Sequence, residues 1–147
     1  QAGAMRSRSG ATVMSTMLPG LRRKARGHPC PSAMAWIFVV RPPREFGHAY
    51  YKYYAFAEPG LLAAGWDATR IIEAINAEGV PCFAGSCSEI YRERAFAERG
   101  WGPARRLPVA QRLGETSLMF MVHPTLGEAE MGDTVGAVRK VMQAAAR

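Results

Sequence analysis

Three lysines, three histidines and one serine-rich stretch are the residues of this chain whose types could carry chemistry. A lysine amine can condense with a carbonyl as a Schiff base and pass a proton. Lys24 lies in an arginine-rich segment and Lys140 near the end of the last helical pattern, both solvated settings, so Lys52 is the only lysine within an apolar core pattern. His48 and His123 each fall at the end of a strand-like run, where a ring nitrogen could meet a ligand or hold a turn. The stretch Gly85-Ser-Cys-Ser-Glu89 offers hydroxyls and a carboxylate, and Ser88 with Glu89 also suits the start of a helix. Ser86 or Ser88 with His123 would make a hydrolase pair, but the G-x-S-x-G elbow that exposes such a serine is missing. Cys82 and Cys87 with a histidine fall short of metal-ligand spacing, and the odd total of three cysteines without a CxxC argues against a disulfide framework. Buried thiols in a reducing compartment fit better, and no metal site is expected.

The elements that must position these residues follow from periodicity. Trp36–Val40 reads as a strand broken by Arg41-Pro-Pro-Arg44. Tyr50–Phe56 reads as a second strand, with Tyr50, Lys52, Tyr54 and Phe56 on one side and Tyr51, Tyr53 and Ala55 on the other, so both faces should be partly covered. The interleaved tyrosines and lysine could also stack on nucleobases. Asp67 is placed to cap a helix whose Ile71, Ile72 and Ile75 form an apolar stripe and which Gly79 ends. Val80–Ala84 is a short strand, kept at a sheet edge by Pro81. Ser88 should cap a helix from Glu89 to about Glu98.

Pro108 opens a short helix with Val109, Ala110 and Leu113 on one side, and Gly114 should stop it. Thr116–Val122 is a dense apolar run of strand length and the expected central strand, closed by His123-Pro124. Thr125 with Glu128 forms a capping-box pattern for a last helix, in which Met131, Val135, Val138 and Met142 should face the sheet. The fold class is therefore α+β: a small antiparallel sheet covered by helices, mainly on one face.

Charge divides the chain. Residues 1–44 carry +8 without an acid, whereas residues 45–147 sum to −1. Residues 1–35 are expected to be a basic tail, disordered or non-native, and residues 36–147 one folded domain. The near-neutral folded part argues against nucleic acid as its partner. A nucleic-acid binder acting through residues 1–44 is the alternative, and its binding would fall steeply with salt. No stretch approaches the roughly 20 apolar residues needed to span a bilayer, so a cytoplasmic protein is expected.

Four segments in register resemble the C-terminal end of the DegT (DegT/DnrJ/StrS-type) family of sugar aminotransferases: His48-Ala-Tyr-Tyr-Lys-Tyr-Tyr54, Asn76-Ala-Glu-Gly-Val-Pro81, Leu107-Pro-Val-Ala110, and the strand ending Val122-His123-Pro124 before an acid-capped helix. The resemblance covers roughly residues 47–146 and implies the C-terminal small domain of an enzyme using pyridoxal 5′-phosphate. It implies a large domain as partner, an amino donor, often glutamate, and a keto-sugar nucleotide as acceptor.

In the family the Schiff-base lysine and the phosphate loop belong to the large domain. No catalytic and no cofactor-binding residue is therefore expected here, and the chain alone should hold no pyridoxal phosphate and be inactive. By the same resemblance, Ser86, Ser88, Glu89, His48 and His123 are the substrate-side candidates. Gly85-Ser86 stands where many relatives carry a His-Tyr pair, which this chain lacks. The competing reading is a non-catalytic interaction module of the same fold. In either case an apolar docking patch should be exposed, which favours self-association.

Overall fold

The computed structural model describes residues 36–39, 42–43 and 45–147; the tail expected over residues 1–35, and Val40, Arg41 and Arg44, lie outside the described residues. In chain order the elements are β1 (Ile37–Val39), β2 (Lys52–Ala57), α1 (Ala68–Ala77), β3 (Cys82–Ala84), α2 (Arg94–Ala97), α3 (Pro108–Thr116), β4 (Ser117–Met121) and α4 (Glu128–Ala145). The strands form one antiparallel sheet in the order β1-β2-β4-β3. The apolar run after Thr116 is thus an inner strand, as its composition requires, and β3 lies at the edge behind Pro81.

Alternation assigns the two faces. Tyr53, Ala55, Leu118, Phe120 and Cys82 point inward and share one core with Ile71 and Ile75 of α1 and Met131, Val135, Val138 and Met142 of α4. The α+β expectation, with two longer helices on one face, holds. Ile72 is only partly buried, at the margin of the stripe that Ile71 and Ile75 centre. Asp67 Oδ1 accepts from the Arg70 amide at 2.8 Å, and Gly79 ends the helix at φ +84°, a conformation that excludes most side chains. Asn76 then joins α1 to the edge strand: its amide group donates to Cys82 O at 2.8 Å and accepts from Cys82 N at 3.0 Å, standing in for a neighbouring strand.

Three local expectations are corrected. Gly114 does not stop α3, which runs on to Thr116. It has no positive φ, and a Cβ built there would lie 2.7 Å from Ser88 Oγ, so the glycine permits a close approach instead. Thr125 does not cap α4. Its hydroxyl is taken by His123 Nδ1 at 2.7 Å, and the helix begins after Gly127, whose amide donates to Glu130 at 2.8 Å. The helix expected from Glu89 to Glu98 is a single 3-10 turn, Ile90–Arg92, followed by the four residues of α2. Glu93 between them is extended, at ψ 144°, which breaks the helical ladder.

Candidate functional site

The outer face of the sheet is formed by Phe38, Phe56, Tyr54, Ser117, Met119, Phe83, Lys52 and Met121, which alternate with the core residues along their strands. Met119 shows the character of this face: it is 8% exposed, yet it lies outside the main core. Its cover comes from the outer side. Tyr54 Oη on β2 and Ser86 Oγ beyond β3 are 2.5 Å apart, a hydrogen bond that straps the two strands across β4. Gly85 makes the strap fit. Its amide donates to Ser117 Oγ at 3.2 Å, and a Cβ at this position would fall 2.2 Å from that oxygen.

Downstream, the loop is closed by a carboxylate clamp. Glu89 accepts from Arg106 Nε at 2.7 Å and Nη2 at 2.6 Å, a bidentate pair, and from Tyr91 Oη at 2.6 Å. The amide of Leu107, the residue before α3, donates to the same Tyr91 oxygen at 3.0 Å. The hydrogen bonds from Arg106 and then Tyr91 pull the Glu89 carboxyl down to about 2. Glu89 therefore stays ionised and is engaged within the loop, in which Ser86 is exposed and Ser88 half-buried. Ser88 packs beside Gly114 of α3.

The five sequence candidates do not converge. Lys52 pairs with Met121 at one end of the sheet, whereas Ala84 pairs with Leu118 towards the other. His48 precedes β2 and His123 follows β4, so the two histidines share the first end, and Ser86, Ser88 and Glu89 follow β3 at the second. Both histidines are exposed and hold turns. His48 Nδ1 accepts from the Tyr50 amide at 3.0 Å, and His123 Nδ1 accepts from the Thr125 amide at 3.3 Å. In each neutral ring the proton thus sits on Nε2.

Neither described cysteine is poised as a thiolate. Burial pushes Cys82 up to about 11, and a hydrogen bond to Glu93 at 3.3 Å raises the Cys87 thiol. Among the described residues no group of three or more metal-ligating side chains comes together, and no helix is long and apolar enough to cross a membrane.

Sequence reasoning missed Tyr54 and Arg106 as the partners of Ser86 and Glu89. Tyr54 carried a signal, since the alternation puts its ring on the outer face. Arg106 carried none: it lies 17 residues from Glu89, next to a second arginine of identical type. Between β1, β2 and α3, Phe38, Phe56, Pro108, Val109 and Leu113 line a groove of about 590 Å³, with Arg112 and Glu58 paired at 3.3 Å among its lining residues.

No family model and no curated protein matches the chain. Solved structures do. An aminotransferase from Psychrobacter cryohalolentis is 52% identical over 67% of this chain, with a TM-score of 0.64. A DegT DnrJ EryC1 StrS aminotransferase from Brucella abortus is 18% identical over 88% of the chain, with a TM-score of 0.62. A GDP-4-keto-6-deoxymannose-3-dehydratase solved with a trapped PLP-glutamate geminal diamine is 12% identical over 90%, with a TM-score of 0.59. At such low identity the last two speak for the fold alone. The chain spans 25% of the length of the first and 29% of the other two, so its small sheet and helices match about a quarter of proteins that include DegT-type aminotransferases.

Proposed function

We propose that residues 36–147 are the C-terminal small domain of a DegT-type, pyridoxal-phosphate-dependent sugar aminotransferase, cytoplasmic, and that amino transfer requires the large domain. The observation carrying this reading is the 52% identity to the Psychrobacter aminotransferase across 67% of the chain, while only 25% of that enzyme is spanned. The match coincides with a fold shared with more distant aminotransferases.

The described residues do not fit pyridoxal phosphate. Their two lysines are engaged elsewhere: Lys52 Nζ lies over the Tyr51 ring, 5.2 Å from its centroid, and Lys140 Nζ is bound to Glu78 at 2.7 and 2.8 Å. Neither stands in a cleft with an acid for a pyridine nitrogen and a cradle for a phosphate.

The chain's part in the reaction is the substrate side. Ser86, fixed by Tyr54, and Ser88, packed beside Gly114 of α3, offer hydroxyls to the sugar of a keto-sugar nucleotide, and Glu89 holds their loop rather than the ligand. Positioned donors and acceptors of this kind orient a substrate without taking part in bond making.

The test is complementation. The 147-residue chain is mixed with the Psychrobacter enzyme from which the matched quarter has been deleted, and amino transfer from glutamate to a keto-sugar nucleotide is followed. Neither part alone should transfer and the mixture should. Transfer by the chain alone, or an inert mixture in which the two parts bind each other, overturns the proposal.

A further inference from the structure

From Gly85 to Leu107, between β3 and α3, no residue is buried, and none belongs to the core or packs against it. The ring and ion-pair contacts beyond Arg92 are internal to the segment: the Phe96 and Trp101 ring centroids are 6.4 Å apart, Arg99 lies over the Trp101 ring, and Arg94 pairs with Glu98. Without an apolar anchor, the place of the segment is set by directed contacts. Those contacts gather at its neck. Glu89 and Tyr91 on the outgoing side meet Arg106 and Leu107 on the returning side, across 17 and 16 positions of chain. The clamp is better shielded than a neighbouring surface pair: the Glu89 side chain keeps 12% of its surface, against 63% for Glu98. Ser86 and Ser88 come just before Glu89, so the clamp stands between them and the unanchored remainder of the segment.

We propose that Arg106 and Tyr91 are positioning residues: by gripping Glu89 and the start of α3 they close the neck of this segment and hold Ser86 and Ser88 in the place where substrate meets them. The substrate side of this inference rests on the proposed aminotransferase reading. The grip is two-pronged at each step. Arg106 gives Nε and Nη2 to the two Glu89 oxygens, a fork that fixes the carboxylate in orientation as well as position. Tyr91 Oη donates to Glu89 at 2.6 Å and accepts from the Leu107 amide at 3.0 Å, so one oxygen joins the outgoing and returning chain. Because the segment buries nothing, releasing this grip should move the serines without unfolding the core.

The experiment reads the loop and the substrate separately. All variants are made in the full 147-residue chain carrying Cys30→Ser, so that Cys87, exposed between Ser86 and Ser88, is the thiol that iodoacetamide alkylates; Cys82 is buried and pushed up to about 11. In Arg106→Gln and Tyr91→Phe, alkylation should be at least about threefold faster, because the loosened loop gives up the Glu93 hydrogen bond that holds the thiol back. Their urea midpoints should stay at the wild-type value. Mixed with the Psychrobacter enzyme lacking its matched quarter, they should raise KM for the keto-sugar nucleotide at least about fivefold with kcat within about twofold. Arg106→Lys keeps the charge without the fork and should recover only part of either effect. Arg94→Gln, in the same segment but beyond the neck, should stay within about twofold of wild type in both. Wild-type alkylation rates in folded Arg106→Gln and Tyr91→Phe overturn the clamp, whatever the mixture does. A lower urea midpoint with kcat reduced at constant KM overturns it too, since that is loss of folded chain. Faster alkylation with unchanged KM overturns the substrate role and leaves the aminotransferase reading intact. An inert wild-type mixture removes that reading and the substrate role together, while the alkylation rates still decide whether the clamp holds the loop.

Discussion

On the inner face of the sheet Leu118 and Cys82 share a core with Ile71 and Ile75, and none of the four has more than 1% of its surface exposed; on the outer face Phe83 and Met121 keep nearly half of theirs. The inner face is held by apolar burial, which is non-directional and follows from the spacing of side chains along each helix and strand. The outer face is held by directed contacts: the Tyr54–Ser86 strap, the Ser117–Gly85 bond and the Glu89–Arg106–Tyr91 clamp. Such contacts fix a loop in one geometry while leaving apolar surface beside it open. The difference teaches that non-directional burial and directed contacts have been given to opposite faces of one small sheet.

Truncating the inner face should give the largest effect. Leu118→Ala removes a fully buried side chain and is expected to cost about 2–5 kcal/mol in urea denaturation, whereas Phe83→Ala on the outer face should stay within about 0.5 kcal/mol. Equal costs at the two positions would abolish the contrast between faces.

Next comes Gly85→Ala, whose new Cβ would press on Ser117 Oγ and Cβ at 2.2 and 2.7 Å. Overpacking of this kind costs about 1–3 kcal/mol. Adding Ser117→Gly should recover part of the loss, and a double-mutant cycle that is purely additive would show that the two residues do not meet.

The clamp predicts a pH dependence. Glu89 in the folded chain titrates at about 2 against an ordinary value of 4.5, so its contribution is complete above 4.5 and is lost as pH falls towards 2. The difference in Tm between wild type and Glu89→Gln should therefore be widest above pH 4.5 and shrink below it. A difference independent of pH would mean that the charge does not hold the loop.

The smallest effect belongs to the surface pair Lys140–Glu78. With the lysine side chain 70% exposed, Lys140→Ala should change stability by no more than about 0.5 kcal/mol, read from the same denaturation curves.

The sequence alone was enough for the inner face. The Ile71 and Ile75 spacing, the Met131, Val135, Val138 and Met142 series and the apolar run after Thr116 each announce an element and the side it buries, because burial depends on period and every residue in the period reports it. The Asp67 cap and the Gly79 stop were legible for a similar reason: each acts within one turn of its own helix. Where two local uses of one residue competed, only the folded chain decided. Gly114 could end a helix or admit a neighbour, and the approach of Ser88, 26 positions away in sequence, selected the second. Thr125 could cap a helix or bind a histidine, and the His123-Pro124 turn took its hydroxyl first. The candidate site lay furthest from view. Ser86 and Glu89 could be named from type and position, but their partners Tyr54 and Arg106 are 32 and 17 residues distant. Pairing at such separations leaves no periodic trace, since it depends on how the strands are ordered in the sheet and on where the loop after β3 comes to rest.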